Sequence, residues 1–148
     1  MPILNPNEPL RAAYVAAMEL ATGLPVWAKK VPKDTEIPQQ YIIVSTQTKN
    51  RIEEYKNLEA FPLVANKFEW QCSITIDLYN VNMSGFGNPA VNDEVEQQVV
   101  DVIQSGIEVD GFHVKSYEFF GSVDLDIETD TQSIERRVIT YQHWLWQV

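Results

Sequence analysis

From Leu10, apolar residues recur through Ala13, Tyr14, Ala17, Met18 and Ala21 at three- and four-residue spacing, which marks one stripe along a helix. Asn7 offers a cap, Pro9 is tolerated in the first turn, and Gly23 with Pro25 ends the run. The pattern predicts a helix from about Glu8 to Thr22. Pro25, Pro32 and Pro38 make 24–40 an extended connection, with Val26-Trp27 as its anchor to the core. Tyr41 to Lys49 is β-branched and free of Gly and Pro, as a strand should be. The next stretch, about 50–66, is polar and irregular and predicts a long loop. Then Phe68, Trp70, Cys72, Ile74, Ile76 and Leu78 alternate with Glu69, Gln71, Ser73, Thr75, Asp77 and Tyr79. Strict period two over that length predicts a long strand with one buried face.

Residues 82–89 read as a loop by composition, and Asn92 reads as the cap of a second helix. Val95, Val99, Val102 and Ile103 form that helix's apolar stripe, and Gly106 closes it. Phe112 to Phe120 is extended, with Phe112, Val114 and Phe120 on one face and Gly121 as a bulge or turn. Val123, Leu125 and Ile127 alternate with Asp124, Asp126 and Glu128 in a further strand. A turn at Thr129–Gln132 leads to a last strand from Ile134 to about Trp146. Short turns between consecutive strands favour antiparallel pairing. The expected fold is α+β: a mainly antiparallel sheet of four to six strands, with two helices packed on one face, in a single domain spanning 1–148.

Charge narrows the function classes. Eleven Lys and Arg stand against 21 Asp and Glu, a net −10 over 148 residues. Recognising nucleic acid needs clustered cations that neutralise phosphates, and only Lys29-Lys30 and Arg136-Arg137 are adjacent. Sequence-reading of DNA or RNA and binding to an anionic membrane are therefore disfavoured. A surface past which DNA slides without sticking is compatible with the same balance. No stretch approaches the roughly 18–20 apolar residues that cross a bilayer. The first residues lack the basic and apolar regions of a signal peptide, so the expectation is a soluble protein made in the cytoplasm.

Candidate chemistry is sparse. His113 and His143 both fall in predicted strands and read as structural; Cys72 lies on the apolar side of the long strand and reads as a small core residue. No HExxH helix, Walker loop or GxSxG elbow is present, and Gly85-Phe86-Gly87 lacks the third glycine of a dinucleotide loop. Asp124, Asp126, Glu128, Asp130, Gln132 and Glu135 fall at positions 1, 3, 5, 7, 9 and 12 of a calcium loop, but position 6 is Thr129 where the turn demands Gly. The sequence thus implies no enzyme, no cofactor, no metal site and no catalytic residue.

The same acids form a ladder, Asp124, Asp126, Glu128 and Asp130, on one strand face, where like charges repel unless solvent or cations answer them. It reads either as a solvated face or as a repulsive wall or partner surface. Arg136 and Arg137 answer it across a hairpin or from a neighbouring subunit. Trp144 and Trp146 flank Leu145 near the chain end and need cover, from the same core or from a partner. In the 50–66 segment, charges including Arg51 and Glu54 enclose Phe61, Pro62, Leu63 and Val64, a shape suited to gripping a neighbour or folding back.

The order of elements resembles the tail-terminator, or tail-completion, proteins of tailed bacteriophages. The resemblance rests on the helix Leu10-Arg-Ala-Ala-Tyr-Val-Ala-Ala-Met and the strand Tyr41-Ile-Ile-Val after a Pro-rich link. It continues through the strand Gln71-Cys-Ser-Ile-Thr-Ile-Asp-Leu-Tyr, the acid-started helix Asp93–Ile103 and the closing strand Arg137-Val-Ile-Thr-Tyr-Gln-His-Trp. It covers about Glu8 to Trp146; the 50–66 loop and the Gly85–Pro89 insertion depart from it. The resemblance implies a non-enzymatic virion subunit, made in the host cytoplasm, that forms a six-fold homo-oligomeric ring at the head-proximal end of the tail tube. Such a ring ends tube polymerisation and joins the tail to the head. Its implied partners are its own copies, the tail tube protein, the neck or connector protein, and DNA that passes without specific binding. In that reading the ladder faces the channel or solvent, while Arg51, Glu54, Phe61, Leu63, Arg136, Arg137, Trp144 and Trp146 are candidate contacts. The alternatives are a neck adaptor ring or a small acidic module that masks a basic partner. A divalent-metal nuclease built on Asp124 and Asp126 ranks behind them.

Overall fold

The structure is a computed structural model, and it describes residues 4–53, 68–82, 88–129 and 131–148. The elements are α1 (Asn7–Thr22), β1 (Val26–Ala28), β2 (Gln40–Glu53), β3 (Phe68–Asn82), α2 (Pro89–Gln104), β4 (Phe112–Asp124), β5 (Ile127–Glu128) and β6 (Ser133–Gln147). They form an α+β fold around a six-stranded sheet of order β1-β2-β3-β6-β4, with β5 beside β6. Every pair is antiparallel except β1 and β2.

The period-two pattern of β3 places Trp70, Cys72, Ile74, Ile76 and Leu78 on one face. Register carries that face to Ile42 and Val44 of β2 and to Ile139, Tyr141 and Leu145 of β6. Leu10, Tyr14 and Met18 of α1 and Val95, Val99 and Ile103 of α2 pack on it to complete the core. Fully burying each large apolar side chain contributes roughly 1.5–3 kcal/mol. Both helices lie on this one face of the sheet.

Several boundaries differ from the sequence expectation, each for a local reason. The α1 N-cap is Pro6; Asn7 is the first helical residue, and its N–H donates to Asn5 Oδ1 (2.9 Å). At the other end Gly23 takes φ 70°, and its N–H closes the helix on the Glu19 carbonyl, where a side chain at positive φ would be strained. The Pro-rich connection contains β1, whose Val26 is buried in the core. β2 runs on to Glu53 because its pairing with β3 continues past a bulge between Thr48 and Asn50, so the first four residues of the expected loop are strand. α2 is capped by Asn88, whose Oδ1 accepts from Ala90 N (3.2 Å), with Pro89 in the first turn. Asn92, the expected cap, is buried inside the helix and donates to the Glu135 carbonyl (3.3 Å).

The two strands expected on either side of Gly121 are a single strand, β4, that bulges twice. Its register against β6 shifts between Val114 and Ser116 and again between Phe119 and Gly121. Phe112 is buried and Val114 packs on the core, but Phe120 is the extra residue of the second bulge and is 54% exposed. β4 ends at Asp124, and only Ile127 and Glu128 resume pairing with β6. The expected 123–128 strand is thus broken at Leu125 and Asp126.

Candidate assembly surfaces

The ladder acids are divided among different surroundings. Asp124 lies directly opposite Arg137 of β6. Arg137 Nε donates to Asp124 Oδ1 (2.7 Å), and its Nη1 donates to Asp93 Oδ1 (2.6 Å) and Glu96 Oε2 (2.9 Å) of α2. Hydrogen bonding to Asp124 raises the Arg137 pKa, burial opposes that, and the bond to Asp93 raises it further. One buried guanidinium thus ties the edge strand to a helix through three carboxylates. Asp126 Oδ1 accepts the backbone N–H of Arg136 (3.2 Å), and Glu128 is exposed on β5. Asp130 lies outside the described residues. Glu135, the last position of the calcium template, is buried and accepts from the Asn88 N–H (2.6 Å) and Asn82 Nδ2 (2.9 Å) at the start of α2.

Arg136 points to the face opposite the helices, where its Nη2 meets both carboxylate oxygens of Asp77 at 3.4 Å. Burial pushes Asp77 above the usual carboxylate range, and Arg136 opposes that shift. Beside them Tyr41 and Tyr79 stack at 4.7 Å, Trp27 leans on Tyr41, and Arg136 lies over the Tyr79 ring. Further along this open face, Trp144 and Trp146 are half-buried, while Leu145 between them points into the core. The bulge at Lys115 brings its ammonium to Glu69 (3.3 Å) and over the Trp146 ring (5.4 Å). Arg51 is in β2 opposite Trp70, with its side chain outside the described set; Glu54, Phe61 and Leu63 lie outside the described residues.

On the helix side, a cavity of about 840 Å³ opens between α1, the end of α2 and the start of β4, lined among others by Leu10, Phe112 and Tyr117. At its base the Tyr14 hydroxyl hydrogen-bonds His143 Nε2. Burial lowers the His143 pKa to about 4 and raises that of Tyr14. Both groups are therefore neutral at pH 7. His143 Nδ1 is buried without a hydrogen-bond partner among the described residues. His113, by contrast, is exposed on β4 beside Trp146.

No protein-family model matches the chain, and no curated protein matches it. Among solved structures, a chain from the virion of a native gene transfer agent particle superposes with a TM-score of 0.67. The overlap covers 93% of this chain and 94% of that one, at 10% identity. The two chains share a fold. A second solved chain overlaps 92% of this one at 12% identity with a TM-score of 0.47, too low to carry an argument.

One surface escaped the sequence reading. On the sheet's outer edge, every residue from Ser116 to Glu128 except Gly121 is exposed. That run includes Phe119, Phe120, Val123, Leu125 and Ile127 at 46–56%. Among the described residues the outer side of β4 pairs with nothing. The signal was the doublet Phe119-Phe120: two large apolar neighbours in a strand point to opposite faces, so alternation alone cannot bury both.

Proposed function

We propose that the chain is a non-enzymatic structural subunit of a phage-like tail or neck. Copies form a ring at the head-proximal end of the tail tube, end its polymerisation and join it to the head. The observation that carries this reading is the fold shared, over nearly the whole chain, with a chain of a gene transfer agent virion. The exposed apolar edge and the half-buried Trp144 and Trp146 on the open face supply contact surfaces for copies, tube and neck. A net charge of −10 suits a channel that DNA crosses without adhering. An acidic mimic that masks a basic partner is less well supported, because Asp124 is already neutralised by Arg137.

Deleting the gene from the particle-producing genome tests the proposal. A tail terminator predicts overlong tails and heads without tails. Tails of normal length beside unjoined heads would move the chain to the neck adaptor position. Complete infectious particles would refute a structural role.

A further inference from the structure

Past its second bulge, the outer edge of the sheet keeps one register against β6. Gly121 to Asp124 face Thr140 to Arg137, and beyond the break Ile127 and Glu128 face Ile134 and Ser133. That register puts Val123 and Ile127 on the open face beside Val138 and Ile134, with Leu125 between them in the same alternation. These three side chains are 46–56% exposed. Asp124 and Glu128 fall on the helix side, with Asp126 between them in the chain. Arg137 answers Asp124, but Asp126 accepts a backbone N–H alone, and neither it nor exposed Glu128 has an ion pair among the described residues. No Lys or Arg occurs from Ser116 to Glu135. The edge thus alternates an apolar stripe with an acidic row, and its outer side pairs with no strand among the described residues.

We infer that Gly121–Glu128 takes an added strand from a different protein, one in which Lys or Arg alternates with Val or Ile. Strand addition satisfies the free backbone groups of an edge, and the pleat fixes which side chains meet. Residues opposite Val123, Leu125 and Ile127 must be apolar, and those opposite Asp126 and Glu128 must be cationic. A second copy does not meet these demands. Two such edges paired together set acids against acids or against the apolar stripe. A copy set level beside this one offers no strand at the right height either. Ile127 and Glu128 are level with Val81 and Asn82, beyond Gln40, where β2 begins. Val26, where β1 begins, is level with Asp124, and the chain runs from there toward the level of Ser122, away from Glu128. The inference rests on the structural-subunit reading for why another protein lies against this chain, and it names the chemistry of the segment that docks.

The probe is a capped peptide, Thr-Val-Lys-Val-Lys-Val-Lys-Thr, titrated into the chain at about 0.15 M salt, where attraction between distant exposed charges is largely screened. A control peptide of the same composition, Thr-Lys-Lys-Lys-Val-Val-Val-Thr, keeps the charge and loses the alternation. Backbone amide NMR should place the shifts along Gly121–Glu128, and the alternating peptide should bind at least about tenfold more tightly than the control. Asp126→Lys with Glu128→Lys, and separately Leu125→Asp with Ile127→Asp, should each weaken that binding at least about tenfold. Circular dichroism and melting curves close to wild type confirm that these chains fold. An alternating peptide that does not bind, equal binding of the two peptides, or shifts outside this edge overturns the inference. So does self-association of the free chain that protects the Gly121–Glu128 amides from hydrogen exchange, because a copy then occupies the edge. If the peptide fails while the gene deletion still yields overlong tails, the docking assignment is wrong and the functional reading stands.

Discussion

Asp124 and Arg137 face each other between β4 and β6, and the Arg137 Nε–H donates to Asp124 Oδ1 at 2.7 Å. The same guanidinium holds Asp93 and Glu96, so three acids from two elements depend on one cation. Replacing it with a side chain of similar length and no charge leaves those acids to repel one another. Arg137→Met should lower stability by about 2 kcal/mol, a value held down because Asp93 and Asp124 are more than half exposed to solvent. The urea midpoint measures it, and Arg137→Lys should recover only part of the loss, since an ammonium lacks the planar fork.

His143 gives the fold a pH dependence of definite sign. Its pKa falls from 6.5 to about 4 on folding, because burial disfavours the imidazolium. Between those values the unfolded chain binds more protons than the folded one, so stability drops as pH falls through the window. The full effect, reached near pH 4, is about 3 kcal/mol. Denaturation at a series of pH values for the wild type and His143→Gln isolates it from the carboxylates. The wild type should lose stability over the variant as pH falls from 6.5 to 4; parallel curves would remove His143 as the cause.

Glu135 fixes where α2 begins. Its carboxylate accepts from Asn88 N, Asn82 Nδ2 and Asn80 Nδ2, so it joins the end of β3, the cap of α2 and the start of β6. Removing a charged acceptor and orphaning buried donors costs about 2–3 kcal/mol. Glu135→Ala should show that loss in denaturant titrations, while Glu135→Gln, which keeps one oxygen, should lose less. Equal stability of all three chains would mean that this carboxylate does not anchor the helix.

The fold was legible where periodicity was clean. The apolar stripe from Leu10 to Ala21 and the alternation from Phe68 to Tyr79 identify α1 and β3, and both helices lie on one face of a mainly antiparallel sheet as expected. What failed was set by tertiary contacts. Asn92 has a capping residue's chemistry, yet Asn88 beside Pro89 takes the cap and Asn92 turns to the Glu135 carbonyl. The bulges of β4 interrupt the alternation that grouped Phe120 with Phe112 and Val114, and a local pattern carries no trace of a residue inserted opposite a partner strand. The acids at Asp124 to Glu128 looked like one ladder because they alternate; the fold gives Asp124 to a guanidinium and Asp126 to a backbone N–H.

The central claim is that this chain ends a tail tube, and imaging of assembling tubes tests it most directly. Tube protein of the same particle would be polymerised with and without the purified chain and examined by cryo-electron microscopy. The account predicts that tubes stop growing and carry a ring of this chain at one end only, with a mass of about 102 kDa for six copies of 17.0 kDa. Tubes that elongate unchanged, with both ends bare at saturating chain, would contradict it.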